Sequence, residues 1–306
     1  MEDAPLHGIT GDGVDKDSRQ GVVARGTVAK TRSVTPMEHL PVHPDLLRSV
    51  LERPELYGGT PLEKEAFHHI SSGNDVFIRQ HANICPTYLL PIIQKVISSQ
   101  EKRPASTFVQ TAAFARHIAK IRSISVLILT PWNLDKAQSF YAAKKLLSKF
   151  PSLRVGTALF GRSPAAIELG ILNGCDVLVA NPDILIQIID ESAQSVEIRR
   201  KLARLQAVVV EDADILVRPR SIPGLQYIIN ELIRNEHGEK RSRIQGVVVS
   251  ATALDGPIKG LADTLLSPRY ECLEAPRKTQ TKYSHSNDNK HELRRWQKNH
   301  GKVGGR

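Results

Sequence analysis

Six short apolar runs punctuate this chain: DVFI (75–78), SVLILT (125–130), VGTALF (155–160), DVLVA (176–180), AVVVE (207–211) and GVVVSA (246–251). A seventh, RYECL (269–273), is weaker. No other feature limits the fold so tightly. A half-buried strand alternates apolar and polar residues. Most of these runs are instead continuous and β-branched, the pattern of strands buried on both faces of a parallel sheet. Helical patterns separate them, at 45–52, 62–72, 87–98, 108–121, 135–148, 163–173, 183–191, 194–204, 225–236 and 256–265. In DKAQSFYAAKKLLSKF, for example, Ala137, Phe140, Ala143, Leu146 and Leu147 fall on one stripe. The fold class expected is therefore α/β: an open parallel sheet flanked by helices on both faces. Ligands of such sheets sit outside the carboxyl ends of the strands, so function is sought there.

The apolar pattern occupies residues 37–275 and defines one domain. Residues 1–36 read as an extended arm, and 276–306 as a basic C-terminal tail. No apolar stretch approaches the roughly 20 residues a membrane span needs, so no membrane partner is expected. MEDAPLHG, at the N-terminus, is neither a secretory signal nor an organellar presequence as it stands. Cys85, Cys175 and Cys272 have no metal-type spacing, which points to a reducing compartment.

The net charge of +10 is unevenly spread. The tail carries Arg277, Lys278, Lys282, Lys290, Arg294, Arg295, Lys298, Lys302 and Arg306 against Asp288 and Glu292. Nine bases less two acids give +7, leaving +3 for the rest. Such a tail suits a polyanion, bound by counterion release. Trp296 among these bases reads as an anchor for the tail in a groove of RNA or protein, or as part of a solvated segment.

VFIRQHANICPTYLLP (76–91) stands where a phosphate-binding loop would stand, between a strand and an apolar helix. Such a loop needs glycines to turn backbone N–H groups around phosphates, a lysine for the outer phosphates and a hydroxyl for Mg²⁺. This stretch has neither glycine nor lysine, and no glycine occurs between Asn74 and Val155. Other strand ends are richer. Glu211, Asp212 and Asp214 follow one run, a set of carboxylates that repel one another unless a cation or donor is near. Ser250, Ala251 and Thr252 close another.

In order and spacing, six segments resemble the first RecA-like domain of DEAD-box RNA helicases. MEHLPVHPDLLRSVL (37–51) is similar to their leading helix, and GGTPLEKEAFHHISSGNDVF (58–77) to the adenine-recognition motif. LILTPWNLDKAQ (127–138) occupies the place of an RNA-contacting motif. FGRSPAAIELGILNGCDVLVANPDIL (160–185) resembles the glycine-doublet helix and the segment after it. VVVEDADIL (208–216) resembles the acidic motif, and VVVSAT (247–252) the motif coupling hydrolysis to strand separation.

What the resemblance implies is as informative where it fails. It places the adenine-reading amide at Glu63 and the base-stacking aromatic at Met37. The acidic pair stands reversed as Glu211-Asp212, so each side chain differs in length by a methylene. In the loop, His81, Asn83, Cys85 and Pro86 replace the phosphate-binding residues, and Thr87 alone could be a remnant. Asp214, Ser250 and Thr252 complete the nucleotide-site positions. On the RNA track the resemblance points to Trp132, Gly161, Arg162 and Asn181, along with the bases of the tail and Trp296. A second RecA-like domain, which strand separation requires, does not occur in these residues.

The expectation is a domain with no catalytic residues, cofactor, metal or small-molecule substrate. It would be a structural or assembly component of a large ribonucleoprotein, binding RNA (ribosomal or another structured RNA) and neighbouring proteins. By analogy with organellar particles, the mitochondrial ribosome and matrix are placed ahead of nucleolus and cytosol. Two alternatives stand beside it: an interaction module regulating a true helicase, and a divergent ATPase activated in trans.

Overall fold

A computed structural model describes residues 40–53, 59–80, 84–101, 123–233 and 244–275. The helical pattern at 108–121, the arm at 1–36 and the tail at 276–306 lie outside the described residues.

All seven apolar runs are strands: β1 (Val76–Arg79), β2 (Val126–Leu129), β3 (Val155–Ala158), β4 (Val177–Ala180), β5 (Ala207–Val210), β6 (Gln245–Ser250) and β7 (Glu271–Glu274). They form one sheet in the order β3-β4-β2-β5-β6-β1-β7. Every pairing is parallel. All carboxyl ends therefore lie along one rim.

The described helices are α1 (Pro44–Leu51), α2 (Pro61–Ser71), α3 (Ile84–Glu101), α4 (Gln138–Leu146), α5 (Pro164–Leu172), α6 (Pro182–Glu191), α7 (Ser195–Leu202), α8 (Ala213–Leu216), α9 (Ile222–Ile233) and α10 (Gly256–Leu265). Successive strand residues point to opposite faces, and the core divides accordingly. Val76, Ile78, Val126, Ile128, Val209 and Val249 pack with residues of α1 to α4, including Leu46, Phe67, Tyr88, Ile93 and Phe140. Phe77, Leu127, Leu129, Leu178, Val208 and Val248 pack with residues of α5 to α10, including Ile167, Leu185, Ile198, Leu225 and Leu261. Strands buried on both faces explain why the runs are apolar without alternation.

Two departures from the expected elements bear on the site. Helix α3 begins at Ile84 rather than 87, so only residues 80–83 join it to β1. Pro86 falls within its first turn, where a missing N–H costs no helical bond. The four-residue α8, straight after β5, is too short to show a period and was not expected. Helix α9 likewise begins three residues before the expected 225.

Candidate functional site

The rim is anchored at its centre by Glu211, the residue after β5. Its N–H continues the ladder to the Leu129 carbonyl at 2.8 Å. Its side chain is 6% exposed and turns under α3 and α4. Tyr88, fully buried on α3, donates its hydroxyl to Glu211 Oε1. Ser139, at the start of α4, donates to Oε2 at 2.9 Å. Burial pushes the Glu211 carboxyl up to about 7, against the opposing pull of Tyr88, Ser139 and Thr130. Both oxygens are thus committed to donors inside the protein.

Asp212 follows in the left-handed region, φ 45°, uncommon for a residue with a Cβ and better tolerated by Asp than most. Its carbonyl accepts the N–H groups of Ile215 and Leu216, which starts α8. Its Oδ2 accepts the indole N–H of Trp132 at 2.6 Å. Lys136 Nζ lies 5.8 Å from the centre of that indole. Burial raises the Asp212 carboxyl, the indole bond opposes this, and the charge of Asp214 adds to it.

Asp214 turns the other way, toward β6. Its Oδ1 accepts the Ala251 N–H at 3.1 Å and lies 3.4 Å from the donating Ser250 hydroxyl. Ser250 Oγ in turn accepts the Thr252 N–H at 3.1 Å and sits 3.3 Å from the Thr252 hydroxyl. The mutual repulsion expected of these carboxylates is met by four kinds of neutral donor. Among the described residues no group of three His, Cys, Asp or Glu is placed to hold a metal ion.

At the end of β1, the Gln80 N–H reaches the Ser250 carbonyl at 2.9 Å. Thr87, buried in α3, donates to Gln80 Oε1 at 2.5 Å and ties helix to strand. Met37, His81 and Asn83 lie outside the described residues, as do the side chains of Cys85 and Pro86. Glu63 has a local role that sequence reading overlooked. Thr60 Oγ1 accepts the Glu63 N–H at 3.2 Å, and Glu63 Oε2 accepts the Thr60 N–H at 2.7 Å. This capping box opens α2, and Thr60-Pro-Leu-Glu63 is its sequence signature. Glu63 is buried there.

The remaining candidates sit at the ends of β3 and β4. Asn181 caps α6, accepting the Asp183 N–H at 3.0 Å, and its Nδ2 lies 3.4 Å from the Pro131 carbonyl. Burial raises the Asp183 carboxyl. A Cβ on Gly224 would come within 2.4 Å of Asp183 Oδ1, so a larger residue there would require the Asp183 side chain to move. Gly161 holds a positive φ of 97°, and Arg162 beside it is exposed. Arg277, Lys278, Lys282, Lys290, Arg294, Arg295, Trp296, Lys298, Lys302 and Arg306 lie outside the described residues.

The structure thus gathers Glu211, Asp212, Asp214, Ser250, Thr252, Thr87 and Trp132 along neighbouring strand ends and leaves Glu63 in a helix cap. Tyr88, Ser139 and Thr130, the donors to Glu211, were not among the site candidates drawn from the sequence. Tyr88 and Glu211 are 123 residues apart, a pairing for which no local signal exists.

An all-parallel sheet with its acidic turn after β5 and a Ser-Ala-Thr turn after β6 is a RecA-like α/β domain of helicase type. The sequence model described as "DEAD/DEAH box helicase" matches residues 60–259, and the chain belongs to that family. The chain is 24% identical over 218 residues to the ATP-dependent DNA helicase DDX31 of Dictyostelium discoideum. It is 21% identical over 237 residues to the probable ATP-dependent RNA helicase CG8611 of Drosophila melanogaster. These matches cover 71% and 76% of this chain but only 22% of either relative. Among solved structures, the yeast DEAD-box splicing factor Prp28 superposes with a TM-score of 0.61 and 19% identity, over 82% of this chain and 53% of that one. A hypothetical ATP-dependent RNA helicase from Sulfolobus tokodaii gives 0.54 and 16%, over 76% and 56%. These likenesses are of fold.

Proposed function

We propose that this domain has left nucleotide chemistry and serves as a structural or assembly component of a ribonucleoprotein of the ribosomal kind, contacting RNA and neighbouring proteins. One observation carries the reading: Glu211 is buried and held on both oxygens by Tyr88 and Ser139. In family terms an acid at this strand end holds Mg²⁺ on a bound nucleotide, and the next acid polarises water. Here the first is sealed inside the protein and the second is spent on Trp132. Only residues 80–83 link β1 to α3, and 76–91 contains no glycine or lysine. The residues present do not fit a nucleoside triphosphate with its metal ion. The basic tail supports the partner class, since nine Lys or Arg against two acids favour a polyanion.

The intact Asp214–Ser250–Thr252 bonds favour a second reading, an ATPase completed in trans. The particle reading is tested by purifying the native complex through this chain and sedimenting it. Co-sedimentation with a large RNA-containing particle, lost on ribonuclease treatment, is expected. Migration as a free protein of 33.9 kDa would contradict it.

A further inference from the structure

The sheet ends in β3 on one side and in β7 on the other, and the two edges are finished differently. An edge strand leaves a row of N–H and C=O groups open to pairing with another chain, and charged side chains are a common guard against it. β7 carries Glu271 and Glu274, the latter 3.6 Å from Arg79. β3 reads Val-Gly-Thr-Ala and carries no charge. Its bonds to β4 fix which of its groups are open. The Val177 N–H reaches the Arg154 carbonyl at 3.2 Å, and the Asn181 N–H the Ala158 carbonyl at 2.8 Å. Backbone groups alternate sides along a strand, so those of Val155, Thr157 and Leu159 face away from the sheet. Helix α5, packed on β3, is equally bare of charge outside: its exposed residues are Pro164, Ala165, Ala166, Leu169 and Gly170. One side chain on this edge is left unsatisfied. Thr157 is 7% exposed, and among the described residues its hydroxyl has no hydrogen-bond partner, which is costly for a buried polar group.

We infer that β3 pairs antiparallel with β3 of a second copy of this chain, across a two-fold axis at Thr157. In that register Thr157 faces Thr157 of the second copy, and each buried hydroxyl gains its partner across the strands. Val155 faces Leu159, so the open N–H and C=O groups of both strands are used. Arg154 falls opposite Phe160. Both are exposed, Phe160 at 49%, and the Arg154 guanidinium lies 3.4 Å from the Asn173 carbonyl. An exposed guanidinium and an exposed ring complement one another as cation and π face. The same axis sets the two α5 helices side by side on one face of the joined sheet, where Ala166 and Gly170 leave room for close approach. An unrelated strand could meet the open backbone groups. A second copy supplies the threonine, the arginine and the ring at once, and a two-fold pair closes with no β3 edge left over.

Sedimentation equilibrium of the purified full chain at micromolar concentration is expected to give twice the 33.9 kDa of one chain. Thr157→Cys, close to threonine in size, places two thiols on the axis. The roughly 5.5 Å between Cα atoms of such a hydrogen-bonded pair lies within disulfide range. Mild oxidation should link two copies of this variant, whereas Val155→Cys, opposite Leu159, should link no more than the parent does. Phe160→Lys, at an exposed position, sets like charges against Arg154 of the second copy and is expected to weaken the dimer by at least about 5-fold. Adding Arg154→Glu to it should restore the affinity. A parent that sediments as a single chain overturns the inference and leaves the edge to a strand of another protein. A dimer in which Thr157→Cys gives no added cross-link, or which Phe160→Lys does not weaken, overturns it as well, by placing the contact elsewhere.

Discussion

The ends of β1 and β6 are neighbours in the sheet, yet they keep very different amounts of what the family resemblance implies. At β6, Ser250 and Thr252 stand in their places, and Asp214 reaches across from the β5 turn to bond the Ala251 N–H. At β1, glycine, lysine and loop length are all absent, and α3 starts four residues after the strand. The difference has a physical reason. The bonds of Asp214 and Ser250 join the end of β6 to the short helix that follows β5, so they brace the fold whether or not a ligand comes. A glycine-rich phosphate loop makes few bonds of its own and is of use only around a phosphate. If no phosphate is held there, as proposed, a short connection tied by the Thr87–Gln80 bond is enough for the fold.

Glu211 follows β5, on the other side of β6 from β1, and it decides the comparison because Tyr88, on the helix after β1, reaches it. If it has become a structural group, its partners must matter to stability. Tyr88→Ala is expected to cost about 3–5 kcal/mol, as other large aromatic truncations do, and to leave a buried carboxyl short of a donor. Urea unfolding measures it. A loss under 1 kcal/mol would mean that Tyr88 is a bystander and that the β1 end is still an open site.

A smaller effect sharpens the same point. The Glu211 carboxyl is raised from 4.5 to about 7 by burial. The native state therefore holds a proton that the unfolded state has released across that window. Stability contributed by this group is complete below about pH 4.5 and falls as pH rises through about 7, by about 3 kcal/mol in all. Glu211→Gln, which cannot ionise, should flatten that part of the stability profile between pH 5 and 8. A profile unchanged by the substitution would place a charged, solvated Glu211 at the strand end, as a metal site would need.

The strands were legible in the sequence because burial on both faces leaves continuous apolar runs such as AVVV and VLIL, which admit few other readings. Helix starts were less so. Ile84, Cys85 and Pro86 show no period at the head of α3, and Pro suggests a boundary when it can equally occupy a first turn. The cap at Thr60 and Glu63 was readable from its spacing but was hidden by the resemblance, which offered Glu63 a ligand. The bonds that define the site were not legible. Tyr88 meets Glu211 across 123 residues and Trp132 meets Asp212 across 80, and only the sheet order brings them together.

The most direct test is a titration of the purified full chain with ATP, with and without Mg²⁺, followed by calorimetry. No saturable binding up to millimolar nucleotide is predicted, since Tyr88 and Ser139 already hold the carboxylate that a metal ion would need. Micromolar binding that depends on Mg²⁺ would contradict the account and return the strand ends to nucleotide chemistry.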